Sequence, residues 1–174
     1  MKSITATKKQ ILLGIFGVIL LTVFDQYTKY LATVKLKGKE SFIIIKDVFQ
    51  LTYLENRGAA FGMMQNKQIF FIILTLCFLV ALIFAYLYVP KGNKKFAPIR
   101  FLFVILASGA LGNFIDRATA GFVVDFFDFC LINFPIFNVA DCYVVISAGI
   151  FLILGIFVWK EEDYDMFSIR KKDK

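Results

Sequence analysis

The chain has 174 residues, of which 59% are hydrophobic and 22 are Phe, and its mean hydropathy is +0.74. This apolar share exceeds that of soluble globular domains, so we predict one integral membrane domain over residues 1–174. The chain has no His, which excludes His-based catalytic triads and His-ligated zinc. The net charge of +7 lies in segments that flank apolar runs, so it indicates membrane orientation and no nucleic-acid partner.

The first apolar segment, 11–24, is long enough to cross a membrane only if its helix continues through Asp25 to about residue 34. We therefore predict a first span at about 10–34. Within it, "DQYTK" places Asp25 and Lys29 at i and i+4, a spacing that favours an ion pair on one helix face. The spacing alone leaves open whether this pair has a function or anchors the helix at the membrane surface.

The connection that follows, 35–67, has the composition of strands. Its stretch "SFIIIKDVFQLTYL" is rich in β-branched and aromatic residues and partly alternates, and it ends in the Gly-rich turn "ENRGAAFG". In that turn, Asn56 and Gly58 offer a polar group and a permissive backbone that could receive an extended peptide.

Three more spans are predicted, at about 68–89, 98–115 and 139–160. The span at 98–115 contains "SGALGN", in which Ser108 and Gly112 form a small-xxx-small pair typical of closely packed helices. Asn113 follows this pair. Of the 20 Lys and Arg residues, 12 fall on the side that holds both termini and the connection between the second and third spans. This bias predicts cytoplasmic termini, so the connections 35–67 and 116–138 lie outside.

The second outer connection is rich in Phe and is broken by Pro135, which suggests an interfacial segment. Asp125 lies in it, and Asp141 lies near the start of the fourth span. If the connection folds back, the two carboxylates meet at the outer membrane boundary. A carboxylate within a span costs about 2.5–3.5 kcal/mol and therefore needs a reason. The structural alternatives are a helix N-terminus for Asp141 and a surface position for Asp125, and spacing does not distinguish Asp125 from Asp128.

Two carboxyl groups a few ångströms apart do not both ionise easily, so they share a proton. One can then activate water while the other hydrogen-bonds a carbonyl, as in aspartic proteases. This chemistry needs no His, no metal and no cofactor.

Four boxes follow one another along the chain: "DQYTK" (25–29), "NRGAAFG" (56–62), "GNFIDRATAGFVVDF" (112–126) and "FNVAD" (137–141). Together they resemble the lipoprotein signal peptidase family, also called signal peptidase II. The resemblance implies a four-helix membrane bundle with cytoplasmic termini, a small extracytoplasmic β element and an interfacial loop. It also implies a place in the bacterial cytoplasmic membrane, with the active site near the extracytoplasmic face. The activity implied is cleavage of diacylglyceryl-modified prolipoproteins before the lipidated cysteine.

The resemblance assigns the catalytic pair to Asp125 and Asp141, which selects Asp125 over Asp128. It implies that four polar motif residues bind substrate or support the pair: Asn56, Asn113, Arg117 and Asn138. We place Gly58 with them because of its permissive backbone. It gives Asp25, Lys29 and Asp116 a supporting role, and we expect Asp116 to interact with Arg117. The expected partners are the prolipoprotein, membrane lipid and globomycin-type inhibitors. Ser108 and Cys142 depart from the family's common Gly and Ser.

Three other functions agree with parts of the sequence. Paired intramembrane carboxylates also suit a proton- or cation-coupled transporter, but the sequence has no internal repeat. A Ser-Lys peptidase would use Lys29 with Ser41 or Ser108, yet Ser108 lies too deep for water and Ser41 lies in a flexible-looking outer segment. A purely structural membrane protein gives no reason for polar boxes on one side.

Overall fold

The computed structural model of this chain describes residues 5–58, 65, 67–89, 94–160 and 163. Four helices dominate it: α1 (Lys8–Leu36), α2 (Gln68–Tyr88), α3 (Ala97–Thr119) and α4 (Val139–Phe157). Each is long and apolar enough to cross a membrane, which confirms the four-helix bundle predicted from hydropathy. Large apolar side chains such as Leu12, Phe84 and Leu152 are more than half exposed on these helices, as expected where lipid covers them.

One end of the bundle holds four helix termini. The Thr5 amide, just before α1, donates to the Leu87 carbonyl near the end of α2 at 3.0 Å. Trp159, just after α4, donates its indole N–H to the Lys95 carbonyl, just before α3, at 3.4 Å. We call this end, where α1 and α3 begin and α2 and α4 finish, the terminal end of the bundle.

The opposite end carries a three-stranded antiparallel sheet, and we call it the sheet end. Its strands are β1 (Phe42–Ile45), β2 (Phe49–Asn56) and β3 (Val123–Asp128), in the order β1-β2-β3. The first two confirm the strands predicted in the first outer connection. The third lies in the Phe-rich connection that we interpreted as an interfacial segment, so the loop between sheet and α4 is shorter than expected.

Helix α3 continues to Thr119, beyond the predicted end near residue 115. Asp116 and Arg117 had suggested the end of the span, because charged side chains are costly in lipid. In the structure Asp116 is 7% exposed and pairs with Lys29 inside the bundle. The charge is therefore compensated within the protein, and the helix has no reason to end there.

Small residues on α3 allow close contact with its neighbours. A Cβ atom on Gly109 would lie 2.5 Å from the carbonyl oxygen of Ala140 in α4, and one on Gly112 would overlap the carboxylate of Asp25 in α1. Ser108 is fully buried. The "SGALGN" stretch therefore packs helices together, as its small-residue spacing predicted.

Candidate active site

The chain folds back after β3 and pairs with it, which brings the two predicted catalytic carboxylates, Asp125 and Asp141, to one site. After β3 and a short 3-10 turn at Cys130–Ile132, Phe137 pairs with Phe127 through two backbone hydrogen bonds of 2.8 and 3.1 Å. Asn138, the next residue, therefore lies beside Asp125 and donates its side-chain amide to Asp125 Oδ1 at 2.6 Å. Helix α4 begins immediately afterwards and carries Asp141 in its first turn.

Asp141 is held by a capping box at the start of α4. The Asn138 side-chain oxygen accepts from the Asp141 amide at 3.0 Å, and the Asn138 amide donates to Asp141 Oδ2 at 3.1 Å. Such reciprocal bonds satisfy two amides that a helix start leaves without partners. The helix dipole also favours a negative charge there. The capping box therefore fixes the position of Asp141 relative to Asp125.

Three Asn side chains connect the two carboxylates. Asn56 donates to Asp125 Oδ2 at 2.9 Å, and Asn113 donates to Asp141 Oδ1 at 2.7 Å. Asn138 also donates to Asn113 Oδ1 at 3.2 Å. With the bonds already described, each carboxylate accepts from two N–H groups. This network orients both carboxylates and links β2, α3 and α4.

Burial changes the acidity of Asp125, which is 2% exposed. Loss of hydration, followed by the negative charge of Asp141, raises the pKa of Asp125 to about 7, although the hydrogen bonds from Asn56 and Asn138 act in the other direction. A carboxyl group with this pKa retains a proton close to neutral pH. Asp125 therefore has the acidity that a shared-proton pair requires.

Both carboxylates line one cavity of about 550 Å³ at the sheet end. Its polar wall includes Asn56, Asn113 and Arg117. Its apolar wall is formed by the loop 134–137 and by residues 142–146 of α4, among them Val145. The cavity can therefore receive a ligand that has both polar groups and hydrocarbon.

Arg117 lies on the wall of this cavity and has an N–H donor that bonds no described residue. Its Nη2 donates to the Gly58 carbonyl at 3.3 Å, and its guanidinium lies 4.9 Å from the centre of the Phe71 ring. Its Nε is buried and has no hydrogen-bond partner among the residues that the structure describes. Gly58 in turn donates its amide to Asn56 Oδ1 at 2.9 Å. Gly58 thus positions two residues of the cavity through its backbone.

Asp25, Lys29 and Asp116 form a buried cluster, which we call the charge cluster. It lies next to Asp125 and Asp141, the pair that we call the dyad. Lys29 Nζ lies 2.9 Å from a carboxylate oxygen of both Asp25 and Asp116, and it donates to Asn113 Oδ1 at 2.9 Å. Asp25 is 0% exposed and Lys29 is 3% exposed. The ion pair predicted from the i, i+4 spacing is confirmed, and its burial excludes a membrane-surface anchor. The carboxylate of Asp116 bonds Lys29, and its interaction with Arg117 is electrostatic, through the opposite charges of the two side chains.

The charge cluster holds the backbone immediately before each dyad residue. Asp25 Oδ1 accepts from the amide of Ala140 at 2.8 Å, and Asp116 Oδ2 accepts from the amide of Val124 at 3.2 Å. Those residues directly precede Asp141 and Asp125. The cluster therefore sets the positions of α4 and β3, the two elements that carry the dyad.

Competing residues lie elsewhere. Asp128 accepts from Gln50 Nε2 at 2.7 Å and from Thr52 Oγ1 at 3.0 Å on the sheet, and it does not line the dyad cavity. The hydroxyl of Ser41 bonds that of Thr52, and the hydroxyl of Ser108 donates to the Val104 carbonyl. Neither hydroxyl contacts Lys29, so Ser41 and Ser108 do not form with it the nucleophile–base pair that a Ser-Lys peptidase needs.

Comparison with known proteins identifies the family. The family described as Signal peptidase (SPase) II matches residues 17–157 of this chain. The chain belongs to the signal peptidase II family. As a signal peptidase II it is an aspartic peptidase, a hydrolase of a bacterial membrane, and nothing in the comparisons favours a transporter.

Relatives and solved structures agree with this assignment. The lipoprotein signal peptidase of Caldanaerobacter subterraneus subsp. tengcongensis is 46% identical over 134 residues, which cover 76% of this chain and 88% of the relative. That of Clostridium tetani is 42% identical over 159 residues, covering 90% and 96%. A bacterial membrane enzyme, with a structure obtained by the in meso method at 2.3 Å resolution, superposes with a TM-score of 0.71 at 33% identity and covers 98% of both chains.

One residue of this signal peptidase II site was missed in the sequence. Gln26 donates through Nε2 to Asp116 Oδ1 at 2.8 Å and to the Gly112 carbonyl at 3.1 Å, which ties α1 to α3 beside Lys29. It lies within "DQYTK", so the box itself contained the signal. Its polar amide at membrane depth, one residue from Asp25, could have identified it.

Proposed function

We propose that Asp125 and Asp141 are the catalytic dyad with which this signal peptidase II removes signal peptides from diacylglyceryl-modified prolipoproteins. Cleavage occurs on the N-terminal side of the lipidated cysteine. The observation that carries the proposal is the position of Asn138, whose side chain donates to Asp125 while its backbone amide donates to Asp141. One residue thus orients both carboxylates toward one cavity.

The reaction follows from one proton shared between two carboxyl groups. The raised pKa of Asp125 favours it as the group that holds the shared proton, which leaves Asp141 the role of base toward water. Asp141 takes a proton from water, whose oxygen attacks the scissile carbonyl carbon while Asp125 donates a hydrogen bond to the carbonyl oxygen. The tetrahedral intermediate then breaks its C–N bond as the amine receives a proton from the dyad. The two residues titrate as one unit.

The residues around the dyad provide the substrate-binding surface. Arg117, with its buried Nε free of described partners, donates to a substrate backbone carbonyl. Asn56 and Asn113 hold the dyad, and Gly58 leaves room for extended peptide beside β2. The apolar face of α4 near Val145 contacts the diacylglyceryl chains, which remain in membrane lipid and so keep the scissile bond at the depth of the dyad.

The enzyme lies in the bacterial cytoplasmic membrane with its terminal end toward the cytoplasm and its sheet end outside. The excess of Lys and Arg on the side of the termini supports this orientation. Globomycin-type peptides occupy the dyad cavity and compete with the precursor there.

A cleavage assay with matched precursors tests this function. Purified enzyme in detergent–lipid micelles receives a precursor with a diacylglyceryl cysteine and the same precursor with an unmodified cysteine. We expect cleavage of the lipidated precursor only, and its loss when globomycin is added, because the lipid positions the scissile bond. Equal cleavage of both precursors would contradict the proposed role of the lipid, and globomycin-resistant cleavage would contradict the shared cavity.

A further inference from the structure

An apolar groove lies in the half of the bundle that is remote from the dyad. It has a volume of about 470 Å³ and is lined by residues within 11–19 of α1, 79–87 of α2 and 103–111 of α3. The segments of α1 and α2 lie nearer the terminal end, and that of α3 extends from this half to the middle of the helix. No residue lines both this groove and the dyad cavity. Because the helices cross the membrane, the groove opens to the leaflet opposite the dyad.

The groove has almost no group that could hydrogen-bond water. Its lining is carbon except for the hydroxyl of Tyr86, which already donates to the Gln10 carbonyl at 2.5 Å. An apolar space of this size within a membrane is filled by hydrocarbon rather than by water. Since a water molecule takes about 30 Å³ and a methylene group is of similar size, the groove has room for roughly fifteen methylene groups. That is the scale of one acyl chain.

A cation stands at the terminal end of the groove. The guanidinium of Arg100 lies 5.9 Å from the centre of the Tyr86 ring, and Tyr86 lines the groove. Its Nη2 donates to the Val89 carbonyl at 2.8 Å and to Thr5 Oγ1 at 3.1 Å. Three helix termini therefore fix its position where the membrane surface is expected.

The charge of Arg100 is not balanced within the described part of the chain. Its two acceptors are a carbonyl and a hydroxyl, no described carboxylate pairs with it, and its Nε is buried without a described partner. A guanidinium has five donors in a planar fork that matches phosphate oxygens. This end of the groove is therefore suited to a phosphodiester.

We propose that the groove and Arg100 form a binding site for an anionic phospholipid of the leaflet opposite the dyad. One acyl chain lies in the groove, and the headgroup phosphate bonds Arg100. A zwitterionic phospholipid fills the groove equally well, but its ammonium group offsets the attraction of its phosphate to the guanidinium of Arg100. The site does not depend on the assignment of the dyad, because the two cavities share no residue.

Native mass spectrometry with two competing lipids tests the headgroup part of the site. Delipidated full-length protein is incubated with equal amounts of phosphatidylglycerol and phosphatidylcholine, and the retained lipid is identified by mass. We expect the wild type to retain phosphatidylglycerol preferentially. Arg100→Gln should lower this preference about tenfold, since the guanidinium charge attracts a headgroup of net negative charge more strongly than a zwitterionic one. Lys9→Gln, which removes an exposed charge nearby, retains the preference. An unchanged preference in Arg100→Gln would overturn the proposal.

A second pair of variants tests the acyl-chain part. Val18→Trp fills the groove and is expected to abolish retention of both lipids, whereas Leu152→Trp, on an exposed face of α4 outside the groove, leaves retention unchanged. Equal losses in the two variants would show that the groove is not the site. Circular dichroism identifies any misfolded Trp variant. If one misfolds, the Arg100→Gln comparison decides whether the site exists.

A competition experiment separates a lipid site from a phosphate site. Excess inorganic phosphate should not displace phosphatidylglycerol, because the acyl chain also binds. Displacement would show a site for phosphate alone and would contradict the proposal.

Discussion

Replacing Asp125 or Asp141 with Asn is expected to lower the rate of lipidated-precursor cleavage by roughly a thousandfold or more. An Asn side chain keeps the shape of Asp but neither takes a proton from water nor returns one to the leaving amine. Because the two residues act as one unit, the double variant should be no slower than either single variant. The measurement is the single-turnover rate on a diacylglyceryl-modified precursor.

The control for this loss is Asp128→Asn. Asp128 lies only three residues from Asp125, but it bonds Gln50 and Thr52 on the sheet and does not line the dyad cavity. We expect this variant to cleave at close to the wild-type rate, with unchanged circular dichroism in all variants. Near-normal cleavage by Asp125→Asn would eliminate the proposed dyad, as would a loss in Asp128→Asn equal to that in Asp125→Asn.

Lys29→Met is expected to lower the free energy of unfolding by about 3–5 kcal/mol, the usual effect of removing one partner from a buried ion pair. Lys29 bonds two buried carboxylates and Asn113, so its loss leaves Asp25 and Asp116 facing each other without a cation. Those carboxylates hold the backbone before each dyad residue, so activity should fall together with stability. Denaturant unfolding in mixed micelles measures the change.

Two comparisons distinguish loss of charge balance from loss of side-chain volume. Lys37→Met breaks an exposed pair with Glu55 and should change stability little, because solvent screens exposed charges. Adding Asp25→Asn and Asp116→Asn to Lys29→Met removes the unpaired charges and should restore part of the stability. If the triple variant were less stable than Lys29→Met alone, the charge cluster would not stabilise the fold through its electrostatic balance.

Hydropathy predicted the four helices because a span must bury a long apolar stretch against lipid, and the chain contains four of them. It did not predict that α3 reaches Thr119. A sequence shows the charge of Asp116 but not the partner that compensates it, and here that partner, Lys29, comes from a helix more than eighty residues earlier. The local sequence pattern therefore does not predict a helix end that depends on an ion pair with a distant residue.

The sheet shows the same limit. β1 and β2 are neighbours in sequence and their alternation predicted them, whereas β3 joins them from the far side of two helices. Its run "VVDFF" has the β-branched and aromatic composition of a strand, but its flanking Phe residues and Pro135 favoured an interfacial reading. An irregular register between β2 and β3 pairs Asp125 with Leu54 and Asp128 with Gln50. Spacing could not foresee that irregularity, so it could not choose between the two carboxylates.

The resemblance selected Asp125 and Asp141, and the structure adds how they are held. Asn138 was predicted only as a supporting residue, yet it caps α4 and bonds both dyad residues. A helix-start signal was present in "FNVAD", where Asn and Asp have the spacing of a capping box. The hydrogen bond from Asn138 to Asp125 forms because Phe137 pairs with Phe127 on β3, and the sequence does not show that pairing.

Infrared titration of the dyad carboxyl groups tests the shared proton most directly. Spectra of the wild type and of Asp125→Asn are recorded from about pH 4 to about pH 9, a range that spans ordinary and raised carboxyl pKa values. Burial and the charge of Asp141 raise the pKa of Asp125, so the account predicts a protonated-carboxyl band in the wild type that disappears with a midpoint near pH 7 and is missing from Asp125→Asn. A difference between the two proteins that titrates near pH 4, or no difference, would contradict it.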